Sequence, residues 1–393
     1  MGKHRLDDLA RRFAIEVTRR GLISTLGVAV SAATMSPWSA VAACKKLGKK
    51  CDKSKDCCNG ATCKKKKCAC KSSRTECDSA CVDLDTDSLH CGACNNSCIG
   101  RATCQSGSCI APKYVYANQW GSRGTGDGEF RYPAGLALSS YGMVYVADLD
   151  NNRVQAFDAD GAFLGKWGTE GDHNGQFTHP LRTAVAPDEA IYVTDGSDRV
   201  QRFDIGGNFQ VGWDGSGGAG KFGNPRGVVI TPDSNVYVAD TENNRIQLFD
   251  TDGDFLSSFG SYGHSDGELS LPAGLALDAD GNLLVADSFN HRIQKFDPSG
   301  QFLFAFGDYG AGEGEFNFPQ SVAVAPNGDI FVADTGNDRI QQFDSEGQHV
   351  LTFGSSGTGD GELDFPEVVA VAANGNVYVT DSGNQRIQVF APA

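Results

Sequence analysis

From residue 133 to the end of the chain, apolar residues fall in short runs separated by glycine, asparagine and aspartate, and the same order of runs recurs six times. The fourth unit shows the plan. Leu275-Ala276-Leu277 predicts a first strand, Asp280-Gly281-Asn282 a turn, and Leu283-Leu284-Val285-Ala286-Asp287 a second strand. Arg292 to Asp297 then predicts a third strand and Phe302 to Gly307 a fourth. Runs this short, bounded by turn residues, are strand text and not helix text. Their alternation is incomplete: Ile293 and Phe296 are three apart, so in an extended strand they face opposite ways. Each sheet is therefore expected to be covered on both sides.

A proline opens each unit, at Pro133, Pro180, Pro225, Pro272, Pro319 and Pro366, and an aspartate closes each second strand, at Asp148, Asp195, Asp240, Asp287, Asp334 and Asp381. The period is 45 to 47 residues. Four short strands per period and no helical pattern predict an all-β fold, a six-bladed β-propeller. The sixth unit stops after Ile387-Gln388-Val389-Phe390 with no fourth strand, whereas Lys113 to Gly121, ahead of the first unit, matches the fourth-strand text of Phe163 to Gly168. The N-terminal strand is expected to complete blade six and close the ring, which removes two open edges.

The second and third strands read Val-Tyr-Val-Ala-Asp followed by Asn-x-Arg-Ile-Gln-x-Phe-Asp. The connections carry Gly126-Asp127-Gly128-Glu129-Phe130, Gly175-Gln176-Phe177, Gly267-Glu268-Leu269, Gly314-Glu315-Phe316 and Gly361-Glu362-Leu363, with Gly220-Lys221-Phe222 a weaker copy. This pattern resembles the NHL repeat, and six copies imply an NHL-type propeller over residues 113–393. The resemblance is specific for fold and says little about function, because such propellers serve as binding modules, sensors and a few enzymes.

Charge divides the chain: net +3 over residues 1–43, +6 over 44–112 and −24 over 113–393, within a total of −15. A propeller this acidic does not favour nucleic acid, since phosphate binding needs clustered cations. Proteins, peptides or glycans are the expected partners. Residues 1–42 read as a twin-arginine-like export signal: Thr18-Arg19-Arg20-Gly21-Leu22-Ile23, an apolar stretch to Ala33, and Ala40-Val41-Ala42 before an expected cleavage. The stretch is too short and too rich in Ala, Ser and Thr for a permanent span. The expected location is secreted or at the cell surface; a second reading takes Val41-Ala42-Ala43-Cys44 as a lipoprotein box with Cys44 lipid-anchored.

All fourteen cysteines lie between residues 44 and 109. An even number in a short exported segment indicates disulfides, which would supply the stability that a Lys-rich segment without a core lacks. Residues 43–69 and 70–112 read as two modules. The spacing of the first six cysteines resembles the inhibitor cystine knot, and that resemblance implies the pairs Cys44–Cys58, Cys51–Cys63 and Cys57–Cys68. Cys70, Cys77, Cys81, Cys91, Cys94, Cys98, Cys104 and Cys109 are left unassigned, because eight cysteines allow 105 pairings. Lys64 to Lys67 would form a basic loop suited to an anionic surface.

Because the Asp and Arg pairs, such as Asp240 with Arg245, recur in every blade, they are read as structural. Candidate contacts are departures from the repeat. Just after the recurrent proline these are Arg182, Arg226, Gln320 and Glu367; in the loops after the second strand, Leu149 and Phe289 are apolar anchors. No catalytic residue is assigned, and no Ser-His-Asp arrangement or phosphate loop is evident. No cofactor is expected; calcium at the Gly-Asp-Gly turns, or zinc, is the weaker reading. The expected function is a non-catalytic binding module at the cell surface. The alternative is a metal-assisted lyase or hydrolase in the channel, for which His179 is the histidine nearest an innermost strand. The fold resembles that of streptogramin lyase and of the lyase of peptide amidation.

Overall fold

A computed structural model describes residues 113–217 and 220–393, together with three short hairpins between residues 62 and 110. The export signal, the cystine pairs and the assignment of the two cysteine modules lie outside the described residues. The hairpins are Thr62–Lys64 with Lys67–Ala69, Thr75–Cys77 with Ala80–Val82, and Thr103–Gln105 with Ser108–Ile110. Cys63 pairs opposite Cys68 in the first, and Cys104 opposite Cys109 in the third. No helix among the described residues is long and apolar enough to cross a membrane.

Six four-stranded antiparallel sheets make the propeller. In each, the innermost strand opens at the recurrent proline, as in Pro133–Leu138 and Pro272–Leu277, an edge-strand position where a residue without an N–H is tolerated. The ring closes as expected. Tyr114–Trp120 pairs with Arg386–Pro392, so the outermost strand of blade six comes from the start of the propeller.

Between neighbouring blades lie six apolar cores, one at each interface. Ile293 packs in the core shared with blade five, beside Phe316 and Val322, whereas Phe296 packs in the core shared with blade three, beside Ile246 and Leu269. The broken alternation thus reflects a sheet buried on both faces. Each fully buried aromatic, such as Phe130, Phe177 or Phe249, contributes about 1.5–3 kcal/mol.

In blades one to five the turn between the third and fourth strands seats the blade on the one before it. In blade two, Asp204 Oδ1 accepts the backbone N–H groups of Gly206 and Asn208. Gly207 takes φ +76° and lies flat on the indole of Trp167, 2.7 Å from where a Cβ would sit. Gly161, Gly253, Gly300 and Gly347 occupy the same position against Trp120, Trp213, Phe259 and Phe306.

Candidate binding site at the propeller mouth

The Asp and Arg of each blade form a closed network. Asp334, fully buried, accepts the Asn317 backbone N–H at 2.7 Å, Arg339 Nε at 2.6 Å, Gln341 Nε2 at 3.1 Å and Asn337 Nδ2 at 2.9 Å. Arg339 then donates through Nη1 and Nη2 to the carbonyls of Ala311, Gly312 and Glu315 in the connection entering the blade. These groups lock the connection onto its own blade and leave no free valence for a ligand. Glutamates of the Gly-Glu turns are used the same way: Glu129, Glu315 and Glu362 each accept a backbone N–H within their own turn.

A second lattice ties each blade to the next. The residue before every recurrent proline is left-handed, with φ between 47° and 60° at Tyr132, His179, Asn224, Leu271, Phe318 and Phe365. For side chains this bulky the conformation costs about 1–2 kcal/mol each. It is held because each N–H donates to a side chain of the preceding blade: Gln385, Asn152, Asp198, Asn244, His291 and Asp338 respectively, at 2.7–3.1 Å. At His291 the acceptor is Nδ1, so the ring must be neutral with its proton on Nε2. Burial pushes the His291 pKa down, in the sense this bond requires.

Four of the six sequence candidates meet at the same end of the channel, in two bridges. Arg182 Nη2 donates to Glu367 Oε2 at 2.6 Å, its Nη1 donates to the Ala134 carbonyl, and the Tyr132 hydroxyl donates to Glu367 Oε1 at 3.0 Å. Burial first and Glu367 second push the Tyr132 hydroxyl pKa up, so it stays a neutral donor. Across the axis, Arg226 Nη1 donates to Gln320 Oε1 at 2.7 Å.

The first bridge runs from blade two to blade six over blade one, the second from blade three to blade five over blade four. Blades one and four carry the same innermost strand, Pro-Ala-Gly-Leu-Ala-Leu. Their small Ala134 and Ala273 leave room for the long side chains to pass. Below the bridges a channel cavity of about 430 Å³ is walled by Leu136, Val228, Leu275, Val322 and Val369.

The remaining two candidates separate. Phe289, 53% exposed, borders a recess of about 140 Å³ together with Arg226, Gln320, Leu271, Ala273 and the exposed Glu242. Leu149, half-buried in blade one, is not among the residues that line it. Phe289 also begins an aromatic row not foreseen from the sequence. Its ring meets Phe318 at 5.0 Å, Phe318 meets His291 at 4.7 Å, and His291 meets the exposed Tyr309 at 4.7 Å. The signal for it lay at the position before the proline, which reads Asn, Leu, Phe and Phe in blades three to six.

Among the described residues the histidines do not converge. His179 is exposed before Pro180, His264 Nδ1 faces Asn290 Oδ1, and His349 Nε2 lies 2.9 Å from Thr352 Oγ1. Among the described residues no three His, Cys, Asp or Glu side chains are grouped to hold a metal ion.

The NHL repeat model matches residues 130–157, 222–249, 269–296, 316–343 and 363–390. The stretch around 177–203 is unmatched, so five of the six units carry the family signature. There the loop from Asp195 to Arg199 is one residue shorter than its counterparts, and Ser197 replaces Asn as the partner of Asp195. The blade itself is complete.

Among curated proteins, the Drosophila melanogaster Protein brain tumor is 30% identical over 155 residues, 39% of this chain and 15% of that protein. The Caenorhabditis elegans Protein lin-41 is 51% identical over 45 residues, 12% of this chain and 4% of that protein. The chain therefore spans a small part of these relatives.

Similar solved structures include a Bacteroides thetaiotaomicron protein of unknown function, with TM-score 0.55 and 17% identity, covering 77% of this chain and 80% of that one. A Xanthomonas campestris gluconolactonase gives 0.53 and 15%, covering 72% and 98%. A streptogramin B lyase gives 0.50 and 13%, covering 71% and 98%. At these identities the likeness is one of fold. The chain carries a six-bladed β-propeller, five of whose blades match the NHL repeat.

Proposed function

We propose that the propeller is a non-catalytic binding module for a protein, peptide or glycan partner, carried to the cell surface or beyond by the export signal read in residues 1–42. The observation that carries this reading is the aromatic row from Tyr309 through His291 and Phe318 to Phe289, exposed at its two ends and ending at a polar recess. Rigid aromatics exposed together on one face are the residue types that dominate binding energy at interfaces. The ring beneath them is closed and locked blade to blade, so little ordering entropy opposes docking. The residues of the repeat network are saturated by one another, which supports recognition, not chemistry, at this end of the channel.

The test is capture from a panel of peptides and glycans by the full chain, with Phe289→Ala and Phe318→Ala alongside. A saturable partner whose affinity falls about tenfold or more in either variant supports the reading. A partner bound equally well by both variants would place recognition elsewhere. The exported location is tested separately, by whether the mature chain leaves the cytoplasm and begins at Ala43 or Cys44.

A further inference from the structure

The recess beside Arg226 gives the binding reading a chemical class, and the inference rests on that reading. Every other buried or half-buried arginine of the propeller faces a carboxylate: six face the aspartate of their own blade, Arg182 faces Glu367 and Arg202 faces Asp188. Arg226 is the exception among the described residues. Its Nη1 is held by Gln320, a neutral partner; its Nε, like those of Arg182 and Arg202, is shielded from water with no hydrogen-bond partner.

Nearby charge compensates only in part. Arg182 adds a second guanidinium, and the Glu367 carboxylate is already engaged by Arg182 and Tyr132. Burial first, and Arg182 next, push the Arg226 pKa down, against the weaker opposing pull of Glu367, Tyr132 and Glu242. Glu242 is exposed at the rim and makes no ion pair with Arg226.

Three other polar groups of the recess, Thr241, Ser288 and Gln320, are occupied. Thr241 Oγ1 donates to the Pro272 carbonyl at 2.8 Å, the Ser288 hydroxyl donates to the Pro319 carbonyl, and Gln320 Nε2 donates to Ser288 Oγ at 3.3 Å. Arg226 then offers the recess its one cation, flanked by Leu271, Ala273 and Phe289, with Asn224 and the exposed Glu242 also on the lining. Such a site offers little to sugar hydroxyls and much to an anion that carries an apolar group.

We propose that this recess takes a carboxylate of a peptide ligand, docked on the Arg226 guanidinium, with the adjoining apolar side chain against Leu271, Ala273 and Phe289. Carboxylate and guanidinium match in charge and in planar hydrogen-bond geometry. The aromatic row then receives the rest of the peptide.

The test titrates the full chain with 3-methylbutanoate and with its amide, followed by NMR or calorimetry. The acid is expected to bind about tenfold or more tightly than the amide, the range of a charge-assisted hydrogen bond. This comparison needs no variant, so misfolding cannot obscure it. Arg226→Gln is expected to abolish the preference and Arg226→Lys to retain part of it. Acid and amide binding equally, or an acid preference undiminished in a folded Arg226→Gln protein, overturns the proposal.

Acetylated peptides ending in leucine, as free acid or as amide, and an amidated peptide with an internal aspartate, distinguish a C-terminal from a side-chain carboxylate. A uronate disaccharide that binds more tightly than all of them overturns the assignment to peptides. Peptide capture that depends on Phe318 but not on any carboxylate would sink this inference and leave the broader reading standing. Acid-selective binding of the small probe with no peptide captured would keep an anion site at Arg226 and overturn its assignment to a peptide.

Discussion

Arg182 and Glu367, 185 positions apart in the chain, meet at 2.6 Å across the end of the channel, each about 95% buried. Their bridge passes over blade one through the gap left by Ala134 and Gly135. A Cβ on Gly135 would lie 2.9 Å from the Arg182 Cα. The pair joins blade two to the innermost strand of blade six, the blade whose outermost strand comes from the start of the propeller.

Breaking this pair from one side leaves a buried charge without its partner. Glu367→Gln is expected to lower stability by about 3–5 kcal/mol, read as a shift in the urea midpoint. The double variant Arg182→Met with Glu367→Met removes both charges and is expected to recover most of that loss. A double variant no more stable than Glu367→Gln would mean that the mouth depends on packing at these positions and not on charge pairing.

The His291 bond makes stability depend on pH. Its folded pKa lies below the ordinary histidine value because of burial, so the unfolded chain binds the proton more readily. The contribution is complete above about pH 6.5 and is lost as pH falls from there toward the depressed folded value. His291→Asn places at this position the residue found in blades one and three, Asn152 and Asn244, which accepts the same bond without titrating. Denaturant melts from pH 7.5 to 5.5 should slope less steeply in this variant. His349, whose pKa burial also lowers, should keep part of the slope in both proteins. Parallel slopes would remove His291 from the account.

Gly207 and Gly142 separate backbone strain from crowding. Both are left-handed, at φ +76° and +82°, but a Cβ on Gly207 would strike the Trp167 ring while one on Gly142 meets nothing nearer than 4.0 Å. Gly142→Ala is expected to cost about 1–2 kcal/mol. Gly207→Ala should cost about 1–3 kcal/mol more, from overpacking the blade interface. Equal losses would show that the seat of each turn on its neighbour's aromatic ring is loose.

Removal of residues 113–121 strips blade six of its outer strand and bares the edge of Arg386–Pro392. An unpaired edge of this length is a template for another chain. Light scattering should detect oligomers at concentrations where the full chain is monodisperse. A monodisperse, fully folded truncated protein would mean that the edge is protected by other means.

Much of this architecture was legible in the sequence because propeller physics is local and repeated. The recurrent proline, the aspartate closing each second strand and the doubly apolar strands each state their role within one unit of 45 to 47 residues. Even the closure could be read, since Lys113 to Gly121 spells a fourth strand that the sixth unit lacks. The departures from the repeat, Arg182, Arg226, Gln320 and Glu367, were visible as departures.

Their partners were not. Arg182 with Glu367 and Arg226 with Gln320 are joined over intervening blades, and only closure of the ring brings positions 94 to 185 residues apart within hydrogen-bond reach. The sequence by itself determined the blade, its order and its closure, because those follow from local strand and turn chemistry. Tertiary structure alone decided which mouth residues neutralise one another and which cation is left over, because side-chain pairing across an axis depends on blade spacing that no single repeat encodes.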